Sequence, residues 1–458
     1  MLPGFVQWDS TSLENEFSVK IRKGPEFASD LHALLKKIED VELSNTIPAN
    51  KLFETSGETL YNQIIQEHNE NAKQNLGRHT FYVNEKRSDL MIGRNLPPPI
   101  IAEIVNCTDK RNESIIKKAK HYIDSGTDII DIGCVSNKPN PLRVKEIIQT
   151  LRREFNTLVS IDSMDSSEIL AAVDMDIDMI LSFDIGNYEE FVDIPKTIPI
   201  VILPTNIKNG IFPKHPETRV SNLLDLTKKM LNHGFTKLIA DPLLETPISP
   251  GICNSLETYF LYKKLPPENQ SPLFFGISNV VELMDIDSVG VNGLLASIAI
   301  EMDMGILFTV EHSTKLFGGV RELKDSVKLN FLAKYKKTPP INQGLSVFKA
   351  KGKTSQKMPQ IKNKNPILVN NLIDGYVPDD NGYFRIYLNP NAHKIYVLFF
   401  SNEDQLLQTF IGDNAEALSK EIIKKNLTSD ISHINYLGRE LKKAEISLFL
   451  GKPYIQDE

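Results

Sequence analysis

Ile100-Ile101-Ala102-Glu103-Ile104-Val105-Asn106 is an apolar run of β-strand composition that stops at an asparagine. The pattern returns through the next two hundred residues as short apolar runs, each closed by one Asp, Asn or Glu. We assign strands to Ile100–Val105, Ile129–Ile132, Val159–Ile161, Met179–Leu181, Ile200–Leu203, Leu238–Ala240, Leu273–Ile277 and Ile306–Val310. Helical spacing fills the gaps at Glu113–Asp124, Leu142–Phe155, Ser167–Val173, Thr218–Asn232, Ser255–Lys264 and Ser288–Met302. Eight βα repeats over about 240 residues predict an α/β chain folded as a TIM (β/α)8 barrel, whose usual size is roughly 250 residues. A doubly wound open sheet is the competing architecture; the lack of a Gly-rich phosphate loop after the first strand counts against it.

Outside the barrel, taken as residues 96–337, three further segments are expected. Residues 1–95 read as a partial α/β N-terminal region: Gly24-Pro25 breaks the chain, Ala28–Ile38 and Thr59–Ala72 have helical spacing, and His79–Ile92 is an extended pair turning near Arg87-Ser88. Its opening, Leu2-Pro3-Gly4-Phe5, reads as a chain entering at the end of a strand, so an upstream half of this region is expected. Residues 338–366 read as a linker, since nine lysines and no acid lie between Ala333 and Pro366; it is either a solvated connector or an arm for an anionic partner. Residues 367–458 read as a small α+β C-terminal domain, with strands at Tyr383–Leu388 and Lys394–Phe400 about an Asn389-Pro390-Asn391 turn, then helices at Asn414–Lys425 and Ile434–Leu450. Arg439 and Glu440 lie on the charged face of that last helix.

The 458 residues are 41% hydrophobic and 24% charged with net charge −7, which suits a globular protein and gives no footprint for nucleic acid. Cys107, Cys134 and Cys253 are too few and scattered for a disulfide framework or a zinc site, which points to a reducing, cytoplasmic setting. The longest apolar stretch, Val289–Val310, contains Asn292, Glu301 and Asp303 and so does not suit lipid. No basic segment precedes an apolar run in Met1–Ser10, and no signal peptide is expected.

In a parallel barrel the carboxyl ends of the strands converge on one mouth. Here they carry Asn106, Asp131, Asp162, Asp184, Asn206, Asp241, Asn279 and Glu311, with only Lys110, Arg111 and Lys138 as scattered basic neighbours. That set suits a ligand rich in N–H donors, or a hard divalent metal such as Mg2+. A flat heterocycle with a 2-amino group beside a ring N–H fits the first case, because one carboxylate accepts both hydrogens. Helix capping competes with ligand contact for each residue, as Asp162-Ser163 and Asp165-Ser166-Ser167 illustrate. Cys107 and Cys134 read as buried small residues, and His312 as a loop histidine or a general base.

Several motifs resemble the pterin-binding barrel superfamily of dihydropteroate synthases and methyltetrahydrofolate-dependent corrinoid methyltransferases. Ile104-Val105-Asn106-Cys107-Thr108-Asp109 is similar to its first-strand Asn-Val-Thr-Pro-Asp motif, and Gly126-Thr127-Asp128-Ile129-Ile130-Asp131-Ile132-Gly133 to its Gly-Ala-Asp-Ile-Ile-Asp-Ile-Gly. Ser160-Ile161-Asp162-Ser163 and Ala240-Asp241-Pro242 resemble the segments that supply its two pterin aspartates. The basic residues that serve the aminobenzoate and pyrophosphate in the synthases are missing from Leu243-Leu244-Glu245-Thr246-Pro247, Ser278-Asn279-Val280 and Thr309-Val310-Glu311. Gly276-Ile277-Ser278-Asn279-Val280 instead resembles the methyltransferase branch, whose asparagine bonds the pterin near N5. Ser182-Phe183-Asp184 stands where both branches have an asparagine. The chain as a whole resembles the archaeal dihydropteroate synthase-related proteins, and its tail Ile431–Glu445 the C-terminal family found with them.

The resemblance implies a reduced pterin as substrate or cofactor, contacted by Asp162, Asp241, Asn279, Asp184, Asn106 and Asp131, with Asn106 also implied as a ligand of Mg2+. It implies a transferase of folate or tetrahydromethanopterin-type metabolism. Two alternatives stay open: methyl transfer from a pterin to a corrinoid protein, and a non-catalytic pterin-binding or scaffold protein. A homodimer is among the assemblies it allows.

Overall fold

In the computed structural model, which describes residues 1–4, 6, 9–26, 31–36, 38–39, 42–52, 57–350 and 379–457, all eight expected strands form, with ends within two residues of those read from the sequence. They are β1 Ile100–Ile104, β2 Ile129–Gly133, β3 Leu158–Asp162, β4 Met179–Phe183, β5 Ile200–Ile202, β6 Leu238–Ala240, β7 Phe274–Gly276 and β8 Ile306–Val310. All pairings are parallel, in the order β6-β5-β4-β3-β2-β1-β8-β7. The ring closes where the Ala240 N–H donates to Pro272 O (2.9 Å) beside a parallel bridge from Ala240 to Leu273. Closure rules out the open doubly wound sheet.

Seven helices surround the ring: α1 Asn112–Asp124, α2 Pro141–Glu154, α3 Ser166–Asp174, α4 Pro216–Asn232, α5 Ile252–Lys263, α6 Ser288–Glu301 and α7 Gly319–Lys336. Local chemistry sets their starts. Asn140 accepts from Arg143 N ahead of Pro141, and Asp165 accepts from Ser167 N and Glu168 N, so Asp165 is the cap its sequence suggests. Between β4 and β5 a 3-10 turn, Tyr188–Phe191, replaces the eighth helix, and Phe191 stacks on Phe183 at 4.4 Å.

Strand alternation turns Ile101, Ile129, Leu158, Met179, Val201, Ile239, Phe274 and Ile306 into one apolar floor. The sequence reading separates residues 1–95 from the barrel. In the structure an antiparallel hairpin, Thr80–Tyr82 with Met91–Gly93, inserts Phe81, Val83 and Ile92 into that same cluster. Two acids just ahead of strands fasten this end. Asp128 accepts from Ile100 N (2.8 Å) and Lys324 Nζ (2.8 Å), and Asp178 accepts from Val159 N (2.8 Å) and Asn84 Nδ2 (2.7 Å).

The chain forms two compact units, Met1–His312 with Gly319–Val347, and Ser313–Gly318 with Phe348–Glu458. In the second, β9 Tyr383–Asn389, β10 Lys394–Phe400 and β11 Leu406–Gly412 form an antiparallel sheet, beside α8 Ala415–Lys424 and α9 Ile431–Leu450. β11 has no counterpart in the sequence reading, because its exposed Leu406, Leu407 and Ile411 break the alternation that marks β10. Ile395, Val397 and Phe399 meet Leu437, Leu441, Ala444 and Leu448 of α9 in the core. Gly382 has φ +128°, and a Cβ there would lie 2.0 Å from Phe400 O, so the turn into β9 requires glycine. Glu440 is buried and accepts from Lys443 Nζ (2.7 Å) and Tyr454 OH (2.9 Å), pinning the tail, while Arg439 is exposed. The expected helix Ala28–Ile38 and linker 338–366 lie in part, and 367–378 wholly, outside the described residues. Among the described residues no helix is long and apolar enough to cross a membrane.

Asp178 is 1% exposed, and its removal leaves the Val159 N–H buried without an acceptor. Asp178→Ala is expected to lower stability by about 3 kcal/mol, measured by urea denaturation.

Candidate functional site

Two residues beyond the floor, the same alternation points polar groups inward. From Ile101 the next inward residue is Glu103; from Ile129 it is Asp131 and then Gly133; from Leu158, Ser160 and then Asp162; from Ile239, Asp241. The register agrees, with Glu103 beside Asp131, Asp131 beside Ser160 and Gly133 beside Asp162. Four carboxyl groups therefore sit above a hydrophobic floor at the C-terminal end of the barrel.

Asp131 is 0% exposed. Its Oδ1 accepts from Ser160 Oγ (2.6 Å), and its buried Oδ2 has no partner among the described residues. Burial, then the charges of Asp162 and Glu103, hold its pKa well above the ordinary carboxylate range. Asp162 is half-buried at the mouth, with Oδ1 accepting from Ser182 Oγ (3.0 Å), and burial raises its pKa too. Asp241 takes both its hydrogen bonds on Oδ1, from Leu243 N (2.8 Å) and Tyr259 OH (3.3 Å), and burial pushes it up to about 7. Glu103 is raised to about 7 by burial and by the Asp162 charge, and none of the described residues hydrogen-bonds its carboxyl.

The remaining expected residues divide. Asn279 is exposed at the mouth, at the start of a short helix, Ser278–Val281, and its Nδ2 donates to Leu244 O (2.9 Å). Asn106 is exposed in a left-handed conformation, φ +51°, where β1 gives way to a 3-10 turn. Asp184, expected against the pterin, is 1% exposed and fully engaged. Its oxygens accept from Gly186 N (2.8 Å), Thr205 Oγ1 (2.9 Å) and Ile207 N (2.6 Å), so it ties two loops together and has no edge left for a ligand. Asn206 caps its own turn by accepting from Asn209 N. Glu311 is bound by His121 Nε2 (2.8 Å), Val320 N (3.0 Å) and Lys118; burial works against its charge, but these partners keep its pKa below the usual range. His312 is exposed, and Glu311 pairs with His121 instead. Burial pushes the Cys107 thiol up to about 12 and raises Cys134 as well, so neither is a nucleophile at neutral pH.

For Mg2+, the residues present do not fit a protein-made site. Among the described residues no three His, Cys, Asp or Glu side chains gather to hold a metal ion, and Asn106 supplies one neutral oxygen.

Three basic groups near the mouth are engaged elsewhere, while Lys110 and Arg143 lie near enough to act on Cys107. Arg219 donates to Pro213 O (2.8 Å) and Glu245 (2.6 Å), Lys118 to Glu311 O (3.1 Å), and Lys138 to Asp109 (2.7 Å). Glu103, Ser160, Ser182 and Tyr259 escape the sequence reading. For Glu103 the signal is visible: a lone acid inside an apolar strand, three residues before the asparagine that draws the eye.

A family described as pterin binding enzyme matches residues 105–286, and a family described as PterinBD-DUF4346 matches residues 378–457. An uncharacterized protein of Methanocaldococcus jannaschii is 31% identical over 460 residues, covering 100% of this chain and 86% of that one. A Ycf91-like protein of Nostoc sp. is 30% identical over 105 residues, covering 17% of this chain and 83% of that one. Among solved structures, dihydropteroate synthase of Yersinia pestis is 16% identical with TM-score 0.41, covering 54% of this chain and 97% of that one. Dihydropteroate synthase of Xanthomonas albilineans in complex with 7,8-dihydropteroate is 17% identical with TM-score 0.41, covering 51% of this chain and 91% of that one.

The raised acids have a cost with a definite sign. Asp241 has a folded pKa of about 7 against an unfolded value near 4, so its ionisation destabilises the fold progressively from about pH 4 up to pH 7 and fully above that. Asp241→Asn is expected to be more stable than the parent by about 1–3 kcal/mol at pH 8, the gap closing as the pH falls to 4, measured by thermal melts across that range.

Proposed function

Because this chain belongs to the pterin-binding, dihydropteroate synthase-like family, we propose that its barrel mouth binds a reduced pterin and that the protein is a transferase of folate or tetrahydromethanopterin-type cofactor metabolism. One observation carries the reading. Asp162 and Asp241, three strands apart around the mouth, each have the protein's hydrogen bonds on Oδ1 alone, above an apolar floor. A pterin offers a flat ring to that floor and a 2-amino group beside N3–H to a carboxylate, a pairing that charge assistance strengthens.

In this reading Asp162 and Asp241 orient the ring through its N–H groups, Asp131 supports them from below, and Asn279 stands at the rim over the reactive side of the pterin. Asn106 lies at the entrance, and Asp184 serves the loops. Catalysis then comes from orientation and from charge stabilisation in a site shielded from water, with no covalent nucleophile. A second reading, methyl transfer from a methylated pterin to a corrinoid protein, is favoured by Asn279 at the mouth and by the engagement of Arg219, Lys118 and Lys138 outside the pocket. The visible spectrum of an added corrinoid protein separates the two.

Isothermal titration of the full chain with a tetrahydropterin tests the site. Binding is expected, and the Asp162→Ala, Asp241→Ala double variant is expected to bind at least about a hundredfold more weakly. Since Asp241 accepts best when ionised, affinity is expected to rise between pH 6 and pH 8. A folded double variant that binds as tightly as the parent overturns the proposal.

A further inference from the structure

Resting on the pterin reading, we propose that Glu103 is a specificity-determining residue of the mouth: its carboxyl fills the space left open by Gly133 and selects pterins whose side arm is uncharged or cationic over those carrying a phosphate or diphosphate. Three observations converge on it.

The first is the cradle. A Cβ on residue 133 would lie 2.0 Å from Glu103 Oε1, so the carboxyl occupies the volume a side chain would take. Gly133 pairs with Asp162 and Glu103 with Asp131, which places the carboxyl between the two aspartates.

The second is the lack of protein partners. No described residue hydrogen-bonds the Glu103 carboxyl, and next to it Asp131 Oδ2 is fully buried and equally unpaired. Two neighbouring carboxyl groups with open acceptor sites mark a place where a ligand supplies N–H or O–H donors.

The third is the sign of the field. Glu103 feels the charge of Asp162, and Asp131 those of Asp162 and Glu103, with no basic side chain acting on either. Tyr122 and Cys107, the other ionisable groups that feel Glu103, are held neutral; Arg143 and Lys110 act on Cys107 but on neither Glu103 nor Asp131. A dianionic side arm entering this mouth meets two or three carboxylates in a confined, poorly hydrated space, where repulsion between charges is strong. A hydroxymethyl, methyl or protonated amine arm does not.

The test uses the full chain at pH 8, where Glu103 is largely ionised, without divalent metal. Titrations with 6-hydroxymethyl-7,8-dihydropterin and with its diphosphate ester give a preference ratio. The parent is expected to favour the uncharged ligand by about tenfold or more. Glu103→Gln, which keeps size and one acceptor oxygen but removes the charge, is expected to lose most of the preference, read as the ratio of the two affinities whatever the change in the uncharged ligand's own affinity. Gly133→Ala displaces the same carboxyl by moving only the end of a flexible side chain, and is expected to act likewise. Thermal melts establish that both variants are folded. A parent that favours the diphosphate, or a preference unchanged in both variants while the uncharged pterin still binds, overturns the role of Glu103 alone. Failure of the parent to bind either pterin overturns the reading of the site and this inference with it.

Discussion

Eight parallel strands in a closed ring have one choice of which alternate residues face inward, and that constraint governs the rest of the protein. The register that buries Ile101, Ile129, Leu158 and Ile239 in the floor also turns Glu103, Asp131, Ser160 and Asp241 inward one layer higher. Slipping any of these strands by one residue would expose the floor and bury the opposite faces. The apolar layer thus fixes where the acids stand, and the acids hold their protons more tightly because that layer is dry. Packing and site chemistry come from the same alternation.

How a group is bonded separates acids with an open acceptor edge from structural ones that share their type and position. Asp184 and Asp241 both follow the end of a strand and are both nearly buried. Asp184 is satisfied by three donors across both oxygens, two of them backbone N–H groups, whereas Asp241 is held on one oxygen only. Glu311 joins Asp184 through His121, Lys118 and Val320 N.

This distinction also marks what the sequence could reveal. Strand positions, the barrel and the inward set of Asp131, Asp162 and Asp241 were legible because period-two patterning and short motifs are local. The loop-tying role of Asp184 is not legible, because its donors, Thr205 and Ile207, arrive from the next loop and leave no mark near residue 184. Glu103 does not stand out because a single acid in Ile-Ile-Ala-Glu-Ile-Val leaves the run apolar, and its placement depends on Gly133 in the neighbouring strand. β11 is not legible, because an edge strand with apolar residues on both faces carries no alternation.

The hairpin that inserts Phe81, Val83 and Ile92 beneath the strands makes the barrel a blind well. With that end closed the acid layer faces the rim, and Asp162, one layer nearer the rim than Asp131, is met first from that side. The end of the barrel farthest from the acids thus decides the direction from which they are approached.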